Sequence, residues 1–505
     1  MSRPAAANGL AVDMEVDQAA SAAVAGGARP GEAAGSDVRE EIVSLYVKQK
    51  KIYARAVSGW FAGWRWAMVW ATQLVFYGLP WLEWNQRQAV LFDLAARRFY
   101  VFGVVLYPQD FIYLTGLLIV AAYSLFLFTA VAGRLWCGYA CPQTVYTEIF
   151  MWIERRLEGD RAQRMKLDAA PWSAAKVMRK GGKHAVWIAV ALWTGFTFVG
   201  YFTPIRELGA SVLGLGLGPW ETFWTLFYGL ATYGNAGWMR EQVCKYMCPY
   251  ARFQSAMFDR DTLIISYDAA RGDPRGTRGR RTDLKAAGLG HCIDCGLCVQ
   301  VCPTGIDIRK GLQYECIGCA ACIDVCDGVM DKMQYPRGLV RYDTLNGLRQ
   351  NLSRGQELRR ILRPRVLVYS SILALIVVAL FTAIALRTPF KVDVVRDRGA
   401  LARQVEDGYV ENVYRLQLMN ATEVVQRYRI TARGVEGLAA DVPDAVEVGG
   451  AQARWVPVAL RMPPTAAAAV GPGSHRVEFV IEQLAPAPGA STHQLVEKST
   501  FLVPR

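Results

Sequence analysis

The stretch Cys292-Ile-Asp-Cys295-Gly-Leu-Cys298-Val-Gln-Val-Cys302-Pro303 decides how this chain is read. Its spacing, C-x2-C-x2-C-x3-C, returns a few residues later at Cys316, Cys319, Cys322 and Cys326. Three thiolates two residues apart can wrap one [4Fe–4S] cube, while the fourth reaches across to the other cube. The spacing therefore assigns Cys292, Cys295, Cys298 and Cys326 to one cluster. It assigns Cys302, Cys316, Cys319 and Cys322 to a second. Structural zinc also uses C-x2-C pairs, but two identical three-plus-one runs fit four-coordinate zinc poorly. The pattern implies electron-transfer chemistry in a bacterial-type dicluster ferredoxin module.

The chain has 505 residues, more than one ordinary domain, and 52% of them are hydrophobic. All twelve cysteines fall in four short motifs, the two above and the pairs Cys137/Cys141 and Cys244/Cys248. None remains for a scattered disulfide framework, which suits a reducing compartment. The formal net charge of +13 does not point to nucleic acid, because the positive residues collect beside apolar segments. The four histidines, His184, His291, His475 and His493, leave no obvious ligand pair for a membrane haem.

Five apolar stretches approach the ~20 residues needed to cross a bilayer. They run near Trp60–Leu82, Phe111–Trp136, Ala185–Phe202, Trp220–Met239 and Val366–Leu386. Arg65 is expected to snorkel toward the headgroups. Gly229, Gly234, Asn235 and Gly237 weaken the fourth stretch. Segment 137–184 is rich in Lys and Arg, whereas the loops after the first and third stretches are poor in them. Positive-inside bias thus expects the N-terminus, 137–184 and 240–365 in the cytoplasm, and the tail outside.

The domain boundaries follow. Residues 1–40, rich in Ala and Gly and lacking a signal-peptide pattern, read as disordered. Residues 41–266 hold four spans in two repeated hairpins, and 267–345 hold a basic linker and the ferredoxin module. Residues 346–387 are a basic segment and the fifth span. In 388–505, strand-like alternation at Val410–Leu418, Gln426–Thr431 and His475–Glu482 predicts a β-sandwich, with Val477, Phe479 and Ile481 on one face.

The hairpin repeat ends in Arg134-Leu-Trp-Cys137-Gly-Tyr-Ala-Cys141-Pro142 and in Arg240-Glu-Gln-Val-Cys244-Lys-Tyr-Met-Cys248-Pro249. On a helix, residues four apart share a face, so each pair could meet one ion. Pro142 and Pro249 can each open a new helix. Thiolates and thioethers suit Cu(I), zinc or iron–sulfur chemistry. A soft-metal site, a redox dithiol or further cluster, and inert buried cysteines all remain open. Met247 reads as packing, and His291 as a surface or cluster-tuning residue rather than a ligand.

Trp136–Glu148, Cys244–Phe258 and Asp331–Thr344, together with the dicluster run, the last span and the β-rich tail, resemble the FixG/RdxA (CcoG) family of cytochrome c oxidase accessory proteins. The resemblance covers about residues 40–505; the absence of Pro after Cys326 departs from generic ferredoxins but not from the ligand spacing. It implies a multi-pass protein of the bacterial inner membrane with a periplasmic immunoglobulin-like tail. It also implies reduction of Cu(II) to Cu(I) for a cbb-type oxidase, with copper handled at Cys137, Cys141, Cys244 and Cys248. The implied partners are the lipid bilayer, a cytoplasmic electron donor, and copper carriers or oxidase assembly components. A quinol-linked electron conduit and a non-enzymatic assembly scaffold are the rival functions.

Overall fold

The computed structural model describes residues 51–504 apart from 351, 353, 398, 400 and 485–491. The segment 1–40, expected to be disordered, lies outside the described residues. In chain order the main helices are α1 (Trp60–Gly78), α2 (Phe111–Ala132), the short α3 (Leu135–Tyr139), α4 (Pro142–Glu158), α5 (Ala174–Val199), α6 (Pro219–Thr232), α7 (Pro249–Met257), α8 (Ala321–Met333) and α9 (Pro364–Ala385). The five expected apolar stretches fall on α1, α2, α5, α6 and α9. Among the described residues two helices, Pro108–Ala132 and Pro364–Ala385, are long and apolar enough to cross a membrane.

Small residues set the helix spacing, as they do wherever backbones must approach closely. A Cβ at Gly195 of α5 would fall 2.1 Å from the Thr225 carbonyl oxygen of α6. Helix α6 ends where Gly234, Asn235 and Gly237 widen the chain into a π-turn over Tyr233–Met239. Helix α5 starts at Ala174, earlier than expected, and turns some of its charges inward. Lys180 Nζ lies 3.0 Å from Glu158 and Lys183 Nζ lies 2.9 Å from it. Part of the positive charge between the second and third stretches is thus engaged inside the fold.

The segment after α1, read from sequence as a loop, instead forms an antiparallel sheet of β1 (Val90–Asp93), β2 (Arg98–Val101) and β3 (Val104–Leu106). Its Leu91, Tyr100 and Val105 bury themselves with Tyr107, Met419 and Ala421. Tyr107 Oη donates to Asn420 O at 3.0 Å, and Lys391 Nζ meets Asp110 at 2.5 Å. This sheet is the seat of the C-terminal domain.

The cysteine runs are closed by β4 (Ile264–Tyr267) paired antiparallel with β5 (Val340–Asp343). Ile265, Ile308, Ile323, Met330, Leu339 and Val340 form the core of this module. The basic stretch from Tyr267 to Gly290, expected as a solvated linker, is bonded into the same unit. Gly290 N donates to Pro274 O and His291 N to Arg271 O, each at 2.9 Å.

The C-terminal domain is a sandwich of two antiparallel sheets. It uses β6 (Phe390–Arg396), β7 (Val410–Asn420), β8 (Gln426–Arg433), β9 (Ala439–Asp441), β10 (Val446–Val448), β11 (Ala453–Met462), β12 (Gly473–Leu484) and β13 (Gln494–Val503). The orders are β9-β11-β7-β6 and β10-β8-β12-β13. Alternation sends Tyr414, Leu416 and Leu418 of β7 inward against Val477, Phe479 and Ile481 of β12, all fully buried.

Candidate functional site

The eight ferredoxin-type cysteines line two neighbouring pockets. The first, about 390 Å³, is bounded by Cys292, Cys295, Cys298 and Cys326. The second, about 330 Å³, is bounded by Cys302, Cys316, Cys319 and Cys322, with Cys298 on the wall between the two. Cys302 thus lines the pocket of the second run, and Cys326 lines that of the first. Local backbone makes this possible. Ala320 takes a left-handed conformation at the start of α8, which places Cys322 and Cys326 on the helix and leaves Cys316 and Cys319 in the preceding loop.

Burial pushes the bare thiols of Cys316 and Cys326 up to about 12. A free thiolate is disfavoured in these pockets, and cationic iron is the kind of partner that would hold it deprotonated. Two all-thiolate pockets with apolar walls fit a pair of [4Fe–4S] clusters. All twelve cysteines are free of disulfides.

The second pocket is pressed against the helical part of the molecule. Gly138, in the middle of the first C-x3-C-P motif, lies on the ferredoxin backbone. A Cβ there would stand 2.8 Å from both Cys319 N and Cys319 Cα. Arg134, 6% exposed, donates to the carbonyl oxygens of Tyr314 and Ala251, and more distantly to Cys316 O at 3.4 Å. One guanidinium thereby joins the approach to the first C-x3-C-P motif, the exit from the second and the second cysteine pocket.

Arg65 does not snorkel. It is 6% exposed, and its Nη1 donates to Cys319 O at 2.6 Å. A carbonyl beside the cysteine pocket gives this guanidinium a partner inside the protein, so it has no need to reach outward. Asp324 of α8 accepts from Phe61 N at 3.1 Å and from Ala62 N at 2.7 Å. It serves the unpaired amides at the start of α1 from a distant part of the sequence.

The C-x3-C-P thiols are not paired on one helical face as the spacing suggested. Helix α3 ends at Tyr139, and Cys141 is extended at the start of α4 (φ −61°, ψ 128°). Cys248 is likewise extended before α7 (φ −80°, ψ 108°). Proline forces the residue before it out of the helical region, so Pro142 and Pro249 open new helices and turn the second thiol of each motif aside. Both motifs share a wide turn, with Cys141 N on Trp136 O at 3.0 Å and Cys248 N on Val243 O at 2.8 Å.

The four thiols still form one neighbourhood. Burial pushes Cys244 up to about 12, and Cys141, Cys137 and Cys248 add to the rise. Gln143, directly after Pro142, ties the two motifs together, its Nε2 donating to Asn235 O at 2.9 Å and Arg240 O at 3.0 Å. Cys137 Sγ donates to Oε1 of the fully buried Gln254 at 3.3 Å. Among the described residues no three His, Cys, Asp or Glu side chains converge closely enough for a single ion.

An open cleft is lined by both Cys244 and Cys319, together with Arg65, Glu148 and Glu241. Behind it, buried Glu154 holds Arg164 Nη1 at 2.7 Å and Arg240 Nη2 at 3.1 Å. Sequence reading missed Gly138, Gln143, Glu154 and Gln254. Only Gln143 and Gly138, which lie within or beside a motif, carried a local signal.

Met247 is 57% exposed rather than packed. His291 is held by two side-chain contacts beside the first pocket. Its Nδ1 accepts from Arg271 Nε at 3.0 Å and its ring stacks on Tyr335.

A dicluster ferredoxin module set against paired thiol turns of a helical part, with an immunoglobulin-like sandwich behind, defines a class of ferredoxin-type redox proteins. Residues 239–345 match the family model described as a 4Fe-4S dicluster domain, and 114–159 match a 4Fe-4S binding domain. Residues 380–504 match the Ig-like fold at the C-terminus of FixG. The chain is 39% identical over 427 residues to the nitrogen fixation protein FixG of Rhizobium meliloti (strain 1021), covering 78% of this chain and 81% of that one. It is 39% identical over 406 residues to protein RdxA of Cereibacter sphaeroides, covering 78% and 84%. A solved FixG-related protein from Vibrio parahaemolyticus matches 23% of this chain and 97% of its own, at 22% identity and a TM-score of 0.20. The chain belongs to the FixG/RdxA family.

Proposed function

We propose that this chain is a membrane-embedded iron–sulfur oxidoreductase that reduces Cu(II) to Cu(I) for the assembly of a cbb-type cytochrome c oxidase. Cys292, Cys295, Cys298 and Cys326 hold one cluster, and Cys302, Cys316, Cys319 and Cys322 the other. Cys137, Cys141, Cys244 and Cys248 handle copper as substrate. The observation that carries this reading is the seating of Gly138, between Cys137 and Cys141, on the backbone of Cys319. It supports the reading because the turn between Cys137 and Cys141 meets the Cys319 backbone directly, at a glycine.

The clusters would supply one-electron storage. The protein's own groups do the rest. Arg65 and Arg134 donate to carbonyls at the second pocket and bring positive charge to it. Gln143 and Arg134 fix the two thiol turns relative to each other. The cleft lined by Cys244 and Cys319 gives the metal a way in. One electron converts one Cu(II) to Cu(I), which soft thiolates hold better than Cu(II). In this reading α1, α2, α5, α6 and α9 cross the inner membrane, with the ferredoxin module in the cytoplasm and the sandwich in the periplasm.

A second reading makes the same four thiols ligands of a further [4Fe–4S] cluster. The match of 114–159 to a 4Fe-4S binding domain supports it. The test is anaerobic Cu(II) reduction by Cys137→Ala, Cys244→Ala and the double variant, with iron measured in each. The copper reading expects reduction to fall with iron intact, and the double change to cost little more than either single one. Undiminished reduction in the double variant removes it. Loss of iron beyond the wild-type error selects the further cluster.

A further inference from the structure

The two cysteine pockets differ in what surrounds them. The second touches α1 and α3 through Arg65 and Gly138. The first is lined by ferredoxin residues alone, and Cys295 is the exposed thiol among the twelve. Beside this first pocket runs 271–285, in which six cations (Arg271, Arg275, Arg278, Arg280, Arg281 and Lys285) meet two acids, Asp273 and Asp283.

A solvated charge run is the ordinary use of such a stretch, but this one is fastened to the first pocket. Arg278 Nη1 donates to Cys292 O at 3.2 Å, and its guanidinium lies 5.5 Å from the Tyr335 ring centre. Arg271 is bonded to His291, next to Cys292. Both acids are already engaged. Asp273 accepts from Tyr267 Oη at 2.8 Å and pairs with Arg275 at 3.1 Å. Asp283 accepts from Lys285 N at 2.9 Å. The side chains of Arg280, Arg281 and Lys285 are exposed, and no described residue pairs with them. Segment 271–285, fastened beside the more accessible pocket through Arg278 and Arg271, thus forms a basic rim in which positive side chains outnumber acids and three of them are exposed.

We infer that this rim docks a small acidic one-electron carrier protein, and that electrons enter the chain here. The inference rests on the reading that electrons move from the Cys292 side toward the Cys319 side. In the step, the reduced carrier loses one electron and the iron centre of the first set gains it; no proton or group is transferred. Anionic lipid is the weaker occupant, because it is the second pocket, not the first, that abuts the helical part. Complementary charge of this kind raises association rates by about 10- to 1,000-fold and does so less as salt rises.

The test uses the full chain, purified anaerobically in detergent without copper, and a reduced acidic flavodoxin as probe. Association is followed at low and high salt for wild type and for the triple variant Arg280→Gln, Arg281→Gln, Lys285→Gln. The expected result is an association rate lower by about tenfold or more at low salt, the gap closing at high salt. Iron content and the dithionite-reduced EPR spectrum should match wild type, which separates a docking defect from misfolding. Equal rates for the two proteins, or no salt-sensitive association of the wild type, overturn the proposal. So does loss of binding to vesicles containing anionic phospholipid with carrier association unchanged, which would make the rim a membrane contact. Because copper is absent throughout, failure of the copper reading leaves this outcome untouched. In a separate experiment with Cu(II) added afterwards, normal cluster reduction by flavodoxin followed by no Cu(II) reduction would sink the copper reading and not this one.

Discussion

The Cys292 pocket and the Cys319 pocket come from the same spacing, yet their surroundings are opposite. The first opens at Cys295 beside a basic rim. The second is closed by Gly138, Arg65 and Arg134 from elements far away in sequence. The repeat supplies two similar cysteine sets, and the tertiary contacts leave one open and close the other, the asymmetry on which the proposed entrance and exit rest.

The strongest way to break this comparison is to remove a crossing ligand. Cys302→Ser should cost the second set its cluster and leave the first, so iron falls from about eight to about four per chain. Anaerobic iron and sulfide assays with EPR would read it. Selective loss of the centre held by Cys292, Cys295 and Cys298 would reverse the assignment.

The next effect is on passage between the second pocket and the thiol turns. Gly138→Val places a side chain where backbone already stands, and overpacking of this kind costs about 1–3 kcal/mol. Both clusters should survive while transfer to copper drops by about tenfold or more, each tenfold being about 1.4 kcal/mol of barrier. Single-turnover mixing with Cu(II) measures it. An unchanged rate would mean that electrons leave elsewhere.

A subtler change should tune one pocket and not the other. Arg65→Leu removes a buried donor from Cys319 O together with a positive charge. A hydrogen bond from a charged group is worth about 1.5–3 kcal/mol. If that were felt wholly in the reduced state, the second centre's potential would fall by on the order of 60–130 mV. Potentiometric EPR should find the first centre unmoved. Equal shifts of both would deny that Arg65 serves one side.

These residues also show what the sequence could and could not reveal. Cysteine spacing is local, so the dicluster module was legible from the two runs, and so were β7, β8 and β12 from alternation. The misreadings have one cause, which is partners remote in the chain. Arg65 near the start of an apolar helix looks like a headgroup anchor until Cys319 O, 254 positions away, is in place. Gly138 looks like an unremarkable member of its motif until the ferredoxin backbone lies on it. Cys141 departs from the i, i+4 expectation for a different reason. Pro142 opens a new helix, as its sequence position allows, and proline's effect on its predecessor is itself local. The β1–β3 sheet was passed over because its strands are short and its core is completed by Met419 and Ala421 of the sandwich.

The smallest effect lies in the sandwich and serves as a control on the comparison. Glu411 is buried between Arg461, at 2.6 Å, and Arg403. Burial pushes its carboxyl up, but hydrogen bonds from the two guanidinium groups outweigh this and hold it below the usual carboxylate range. A carboxylate whose folded pKa is depressed contributes stability that is fully present above its unfolded value, about 4.3. That contribution is lost as pH falls through the folded value. Both arginines are about half exposed, so screening keeps the contribution small. Thermal unfolding of the sandwich in wild type should therefore lose a little more on acidification below about pH 4.3 than in Glu411→Gln. At neutral pH the variant should keep wild-type iron and unshifted potentials at both centres. A potential shift at either centre in this variant would mean that the pockets sense the sandwich. The contrast between the open and the closed pocket could then no longer be credited to Gly138, Arg65 and Arg134 alone.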